Sequence, residues 1–173
     1  MRTLSVGCGG DFSYFTDFVD ILPQRNDVIK CDMNTEKLPY EDNIFDEVYS
    51  KHMLEHLTDV GFAIREMMRV LKKGGKLTII TDNASFFDFA RGRTHLGQYE
   101  ELRSDTHEDR HYSLFTPWHL RNFFRKFNIK VEKIEYCGNI HSLLKPIAFI
   151  LSLTPYWRMS KIWIKIEGIK NGI

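Results

Sequence analysis

Short apolar runs, rich in β-branched residues and separated by turn formers, recur along the first half of the chain, and amphipathic helical stretches follow them. Thr3-Leu4-Ser5-Val6 reads as a buried strand closed by Gly7-Cys8-Gly9-Gly10, where glycine permits backbone angles that other residues resist. Asp17 to Ile21 and Asp27 to Cys31 read as two more strands, divided by Pro23 and Asn26, with Asp20 and Asp32 at or just past their ends. Phe45 to Ser50 is a fourth strand. Thr58-Asp59 then caps a helix with Val60, Ile64, Met67 and Leu71 along one face, ended by Gly74-Gly75.

Lys76 to Thr81 follows as a β-branched strand. Thr116-Pro117 opens a second helix carrying Leu120, Phe123, Phe124 and Phe127 at helical spacing, and Asn128 terminates it. Ile129 to Tyr136 and Lys161 to Glu167 alternate apolar with charged side chains, as half-buried antiparallel strands do. The pattern predicts one α/β domain over residues 1–173: a Rossmann-like, mainly parallel sheet with helices on both faces and an antiparallel edge hairpin. Residues 82–115 form a substrate-side loop region, and 139–160 a C-terminal insertion.

Composition narrows the classes. With 173 residues and 43% hydrophobic content the chain suits one well-buried core rather than two domains. Lysine plus arginine number 24 against 23 for aspartate plus glutamate, so no overall field recruits nucleic acid. The three cysteines, Cys8, Cys31 and Cys137, are far apart and form no C-x-x-C pair, which fits a reducing, cytoplasmic setting. Met1 to Leu4 runs directly into a strand, without the regions of a signal peptide, and Pro146 to Pro155 is far short of the roughly 20 residues of a membrane span.

In an open α/β sheet the ligand sits beyond the carboxyl ends of the strands, which makes Gly7 to Gly10, Asp20, Asp32 and Ser50 to His52 neighbours. A dinucleotide fingerprint needs a third glycine where this chain has Phe12, and the P-loop lysine is absent. The pattern therefore favours a nucleoside without a pyrophosphate, its ribose hydroxyls held by Asp20.

Leu4-Ser5-Val6-Gly7-Cys8-Gly9-Gly10, Leu38-Pro39-Tyr40, Phe45-Asp46-Glu47-Val48, Leu54-Glu55-His56 and Arg69-Val70-Leu71-Lys72-Lys73-Gly74-Gly75 occur in that order over the first half. Through these blocks the chain resembles the class I S-adenosylmethionine-dependent methyltransferases. The resemblance implies that Gly7, Cys8 and Gly9 approach the methionine part of S-adenosyl-L-methionine. It implies that Asp20 and Ile21 hold the ribose, that Asp32 and Met33 flank the adenine, and that Ser50, Lys51 and His52 face the methyl end. Ser5 and Asp11 depart from the family's usual acidic residue and glycine, and the link from Gly10 to Asp20 leaves room for about one helical turn. The amino-methylating branch's Asn/Asp-Pro-Pro-aromatic motif is replaced by Ser50-Lys51-His52-Met53, which argues against methylation of nucleic-acid bases.

Several features carry a second reading. Asp20 and Asp32 suit strand-end turns as well as ligand contacts. His52-Met53-Leu54-Glu55-His56 matches H-x-x-E-H, but a zinc site needs a further ligand and a long helix, so no metal is assigned. Arg65, Arg69, Lys72, Lys73 and Lys76 suit a solvated face better than a phosphate site. Trp157, Arg158, Lys161, Trp163 and Lys165, after apolar Ile147 to Leu153, suit either a peripheral membrane contact or core packing with an edge strand.

The resulting expectation is an enzyme that moves the sulfonium methyl to a small-molecule, glycan or lipid-linked acceptor, with His107, His111 or Asp82 taking a proton from it. The alternatives are a non-catalytic S-adenosylmethionine-binding regulatory domain and, on the related sheet, a nicotinamide oxidoreductase.

Overall fold

The computed structural model describes residues 1–86, 111–138 and 161–172, the backbone of 102–104 and 107–108, and residues 146, 149, 150, 153 and 154. Most of the 82–115 region and of the 139–160 insertion, including Trp157 and Arg158, lies outside the described residues.

Seven strands form one sheet: β1 (Thr3–Val6), β2 (Asp17–Asp20), β3 (Val28–Lys30), β4 (Phe45–Lys51), β5 (Leu71–Asp82), β8 (Ile129–Cys137) and β9 (Trp163–Lys170). Their order is β3-β2-β1-β4-β5-β9-β8. The pairs among β1 to β5 are parallel, whereas β9 runs antiparallel to both β5 and β8. The edge hairpin is thus present, with β8 outermost and β9, which carries Trp163 and Lys165, inside the sheet. β6 (Leu102–Ser104) and β7 (His107–Glu108) pair separately.

The helices are α1 (Val60–Val70) and α2 (Pro117–Lys126). Asp59 caps α1 by accepting from the Phe62 N–H at 2.8 Å, and Thr116 with His119 forms a reciprocal capping box on α2. Both helices join the larger core, where Ile64, Met67, Leu120 and Phe124 meet Val48, Leu77, Ile79, Ile164 and Ile166 of the sheet. Side chains alternate across a strand, so Tyr49, beside Val48, faces the other way. There it packs against a second cluster of Cys8, Phe15, Phe18 and Val28, with Phe12 alongside.

Two expectations need correction. No helical turn forms between Gly10 and Asp17. An aromatic loop stands in its place: Phe12 meets the Phe18 ring edge-on at 5.6 Å, Phe15 lies on Tyr49 at 4.9 Å, and the Arg25 guanidinium covers Phe12 at 4.0 Å. The first helix, in turn, stops at Val70 rather than at Gly74-Gly75. Leu71 is wholly buried and paired with Phe45, and the register shifts before Lys76 pairs with Glu47. The helix end needs no glycine cap because the Lys170 ammonium donates to the Met68 and Leu71 carbonyls at 2.7 and 2.6 Å.

The basic run is largely tied down. Arg69 binds Glu66 and Asp42, Lys72 binds Asp46, and Lys76 binds Glu167. No helix among the described residues is long and apolar enough to cross a membrane.

Candidate active site

β1 lies between β2 and β4, so chain order reverses beside it, and the loops there diverge above the carboxyl ends of the strands. A cleft of about 610 Å³ opens at this point. Its wall includes Gly7 to Asp11 after β1, Asp20 to Leu22 at the end of β2, Cys31 to Asn34 after β3, Lys51 to Met53 and Glu55 to Leu57 at and beyond the end of β4, and Asp82, His111 and Trp163.

The floor is the glycine turn. Gly7 and Gly9 have φ of 68° and 51°, in the left-handed region. A Cβ on Gly7 would lie 2.8 Å from Met53 Cβ, whereas a Cβ on Gly9 or Gly10 would meet nothing within 4 Å, leaving open space above them. The turn is tied to β2: the Gly7 and Cys8 N–H groups donate to the Val19 carbonyl, and the Gly9 N–H donates to Asp20 Oδ2 at 2.7 Å. Asp20 Oδ1 accepts from the Leu22 N–H at 2.8 Å. Asp20 is therefore both a turn residue and a carboxylate facing the cleft, since each oxygen retains an acceptor lone pair.

Asp32 holds its own loop, accepting from the Asn34 N–H at 2.9 Å and the Thr35 hydroxyl at 3.2 Å, and it lines the cleft beside buried Met33. Burial pushes the Cys8 and Cys31 thiols up to about 11, so neither is a nucleophile at neutral pH.

At the other end, His52 has φ 53° and sets Nδ1 3.2 Å from Glu55 Oε1, with its ring edge-on to Trp163 at 4.6 Å. Glu55 is almost fully buried, and its Oε2 accepts from the Thr81 hydroxyl at 2.8 Å. Burial acts to raise its carboxyl, but the His52 and Thr81 contacts outweigh it and hold the group below the usual range. His111 Nδ1 lies 3.0 Å from Asp82 Oδ2, both side chains buried, and the His56 ring meets that of His111 at 4.7 Å.

The structure thus gathers Gly7, Cys8, Gly9, Asp20, Ile21, Asp32, Met33, His52, Asp82 and His111 around one cleft. Ser50 is not among them. It is wholly buried, and it shares Val48's side of β4, away from Lys51 and Tyr49. The side chain of His107 lies outside the described residues. Sequence reasoning missed Trp163, which no local motif marks, and gave Glu55 no role, although the His-x-x-Glu spacing announced it.

A sequence model described as a methyltransferase domain matches residues 14–79, from the aromatic loop into β5. Solved structures agree with this chain across nearly its whole length. An S-adenosylmethionine-dependent methyltransferase from Archaeoglobus fulgidus superposes with a TM-score of 0.69 at 18% identity, covering 98% of this chain and 86% of that one. Residues 14–79 thus match a methyltransferase domain, and the whole chain shares the fold of solved S-adenosylmethionine-dependent methyltransferases.

A Haloferax volcanii protein solved in complex with a methyltransferase activator matches this chain with a TM-score of 0.67 at 14% identity, covering 99% and 82% of the two chains. Among curated proteins, YafE of Escherichia coli K12 is 49% identical over 45 residues, 26% of this chain and 22% of the relative. The ubiquinone/menaquinone biosynthesis C-methyltransferase UbiE of Xylella fastidiosa M23 is 42% identical over 60 residues, 35% of this chain and 23% of the relative. The matched stretch is thus under a quarter of these relatives' length.

Proposed function

We propose that this domain binds S-adenosylmethionine in the cleft and transfers its methyl group to a small-molecule, glycan or lipid-linked acceptor. The observation that carries this reading is the union of the left-handed glycine turn with Asp20. The Gly7 to Gly9 turn and the Asp20 carboxylate, a group suited to ribose hydroxyls, are locked together beneath open space. Gly7, Cys8 and Gly9 would hold the methionine part, Asp20 and Ile21 the ribose, and Asp32 and Met33 the adenine edge. The bound cofactor supplies a sulfonium-activated methyl and a neutral thioether leaving group.

What the chain supplies is alignment and exclusion of water. His52, Trp163, His56 and His111 wall the acceptor end, and the His111–Asp82 pair is the place for a proton leaving an acceptor hydroxyl. The UbiE relatives favour a quinone-type ring and a carbon nucleophile as the finer reading.

Calorimetric titration with S-adenosylmethionine, S-adenosylhomocysteine and NAD tests the proposal. The first two should bind saturably and NAD should not. Asp20→Ala should weaken binding roughly 10- to 100-fold, the loss of one or two charge-assisted hydrogen bonds to the ribose. Binding of NAD alone, or unchanged affinity in a folded Asp20→Ala variant, would overturn it.

A further inference from the structure

The His52-Met53-Leu54-Glu55-His56 motif contains chemistry that holding the cofactor leaves unused. After β4 the chain makes a single 3-10 turn, Leu54–His56, that sets His52 Nδ1 3.2 Å from Glu55 Oε1. The long helix that usually presents such a motif is absent, but a third ligand is present. Lys51 pairs with Ile80 across β4 and β5, which brings Asp82 to the same end of the sheet. One ligand atom from each of His52, Glu55 and Asp82 lies within 4.8 Å of the others. Donors around one ion at about 2.1 Å stand roughly 3–3.5 Å apart, so side-chain adjustments of about 1 Å complete a coordination sphere.

Burial adds a reason for a cation. Glu55 and Asp82 are each 1% exposed, and two buried carboxylates this near each other form a strongly negative pair that a divalent cation would offset alongside the His52 and His111 rings already touching them. All three residues also border the cleft, which leaves coordination positions open on that side. We propose that His52, Glu55 and Asp82 form a site for a divalent first-row cation at the acceptor end of the cleft. An oxygen donor of the acceptor fills its open positions; this last step rests on the methyl-transfer reading, whereas the cation site does not. One imidazole with two carboxylates suits Mn²⁺, Fe²⁺ or Zn²⁺. The contact of Asp82 Oδ2 with His111 is the kind of outer contact that orients a ligating carboxylate.

The test strips the full chain with a chelator and titrates it with MnCl₂ and with ZnCl₂ by calorimetry, Mn²⁺ also being read by electron paramagnetic resonance. The expected result is one saturable ion per chain, bound roughly tenfold or more weakly by His52→Gly, Glu55→Gln and Asp82→Asn. His52→Gly suits the left-handed backbone, so it remains decisive if the two buried substitutions prevent folding. No saturable binding to the folded wild type, or equal affinity in folded His52→Gly, overturns the site. S-adenosylmethionine titrated into the same metal-free sample separates the two readings. Cofactor binding without ion binding removes the cation site alone, and ion binding without cofactor binding supports the site while removing the methyl-transfer reading.

Discussion

Replacing Arg69 by methionine should cost about 3 kcal/mol of stability at neutral pH, and much less in acid. Arg69 donates from Nε and Nη2 to the Glu66 carboxylate at 3.0 and 2.7 Å, from Nη1 to the Tyr40 carbonyl and Asp42, and from Nη2 to the Leu38 carbonyl. Glu66 Oε2 also accepts from the Leu38 N–H at 3.1 Å. The pair clamps the 38–42 segment onto α1, which is why Leu38-Pro39-Tyr40 and Arg69-Val70-Leu71 occur together. Stranding one partner of a fully buried ion pair costs about 3–5 kcal/mol. The Glu66 side chain is 7% exposed but that of Arg69 is 25% exposed, so the lower end applies, or roughly 6–12 °C in Tm for a chain of this length.

Acid reveals the mechanism. The Arg69 hydrogen bonds hold the Glu66 carboxyl below its usual value against the opposing effect of burial. A depressed acid contributes stability that is full above the unfolded pKa, about 4.3, and is lost as pH falls through the folded value. In the variant the same buried carboxyl loses its cation and is relieved by protonation, so its deficit shrinks towards pH 4. Urea unfolding followed by far-ultraviolet circular dichroism at pH 7 and pH 4 measures both quantities. A deficit under about 1 kcal/mol at pH 7, or one of equal size at both pH values, would refute the clamp.

Gly7→Ala combines a left-handed φ of 68° with a Cβ 2.8 Å from Met53 Cβ, so urea unfolding should show a loss of about 2–4 kcal/mol, with weakened S-adenosylmethionine binding. Lys170→Met removes ammonium donors from the Met68 and Leu71 carbonyls and should cost about 2 kcal/mol, with faster hydrogen exchange confined at first to the last turn of α1. Gly168→Ala places a Cβ 2.7 Å from Ile129 Cγ2, 2.8 Å from the Lys130 carbonyl and 2.9 Å from Phe124 Cδ2. Its melting temperature should fall by several degrees as α2 is pushed off the edge hairpin.

Local chemistry was legible where the element needs only its own neighbours. The strand at Thr3 to Val6, the caps at Asp59 and Thr116, and the alternation over Ile129 to Tyr136 are each specified within a few residues, and each stands where its pattern puts it. The end of α1 was not legible, because its cap is an ammonium about a hundred residues downstream. Ser50 was read with Lys51 and His52 as one block, although the two-residue period of a strand already assigns it to the helix side with Val48. The His-x-x-Glu pair was visible in the chain. Its third member, Asp82, joins only when β4 and β5 lie side by side.

The shortness of the first loop has a physical consequence for how the cleft is held. A glycine turn that leads into a helix can be fixed from above by that helix's first turn. Here the support comes from below and from the side. Gly7 and Cys8 hang from the Val19 carbonyl, Gly9 from the Asp20 carboxylate, and the loop's far end is pinned where the Thr16 N–H donates to the Thr3 carbonyl at 3.1 Å and the Thr3 N–H donates to the Thr16 hydroxyl at 2.9 Å. Phe12 and Phe15 then cover the part of the sheet that a helix would otherwise shield. The turn is therefore ordered by β2, and the carboxylate that would meet the ribose is the same one that fixes the floor where the methionine part would lie. Because both contacts share one side chain, the two ends of the proposed cofactor site are positioned relative to each other before any ligand arrives, which would lower the ordering cost of binding.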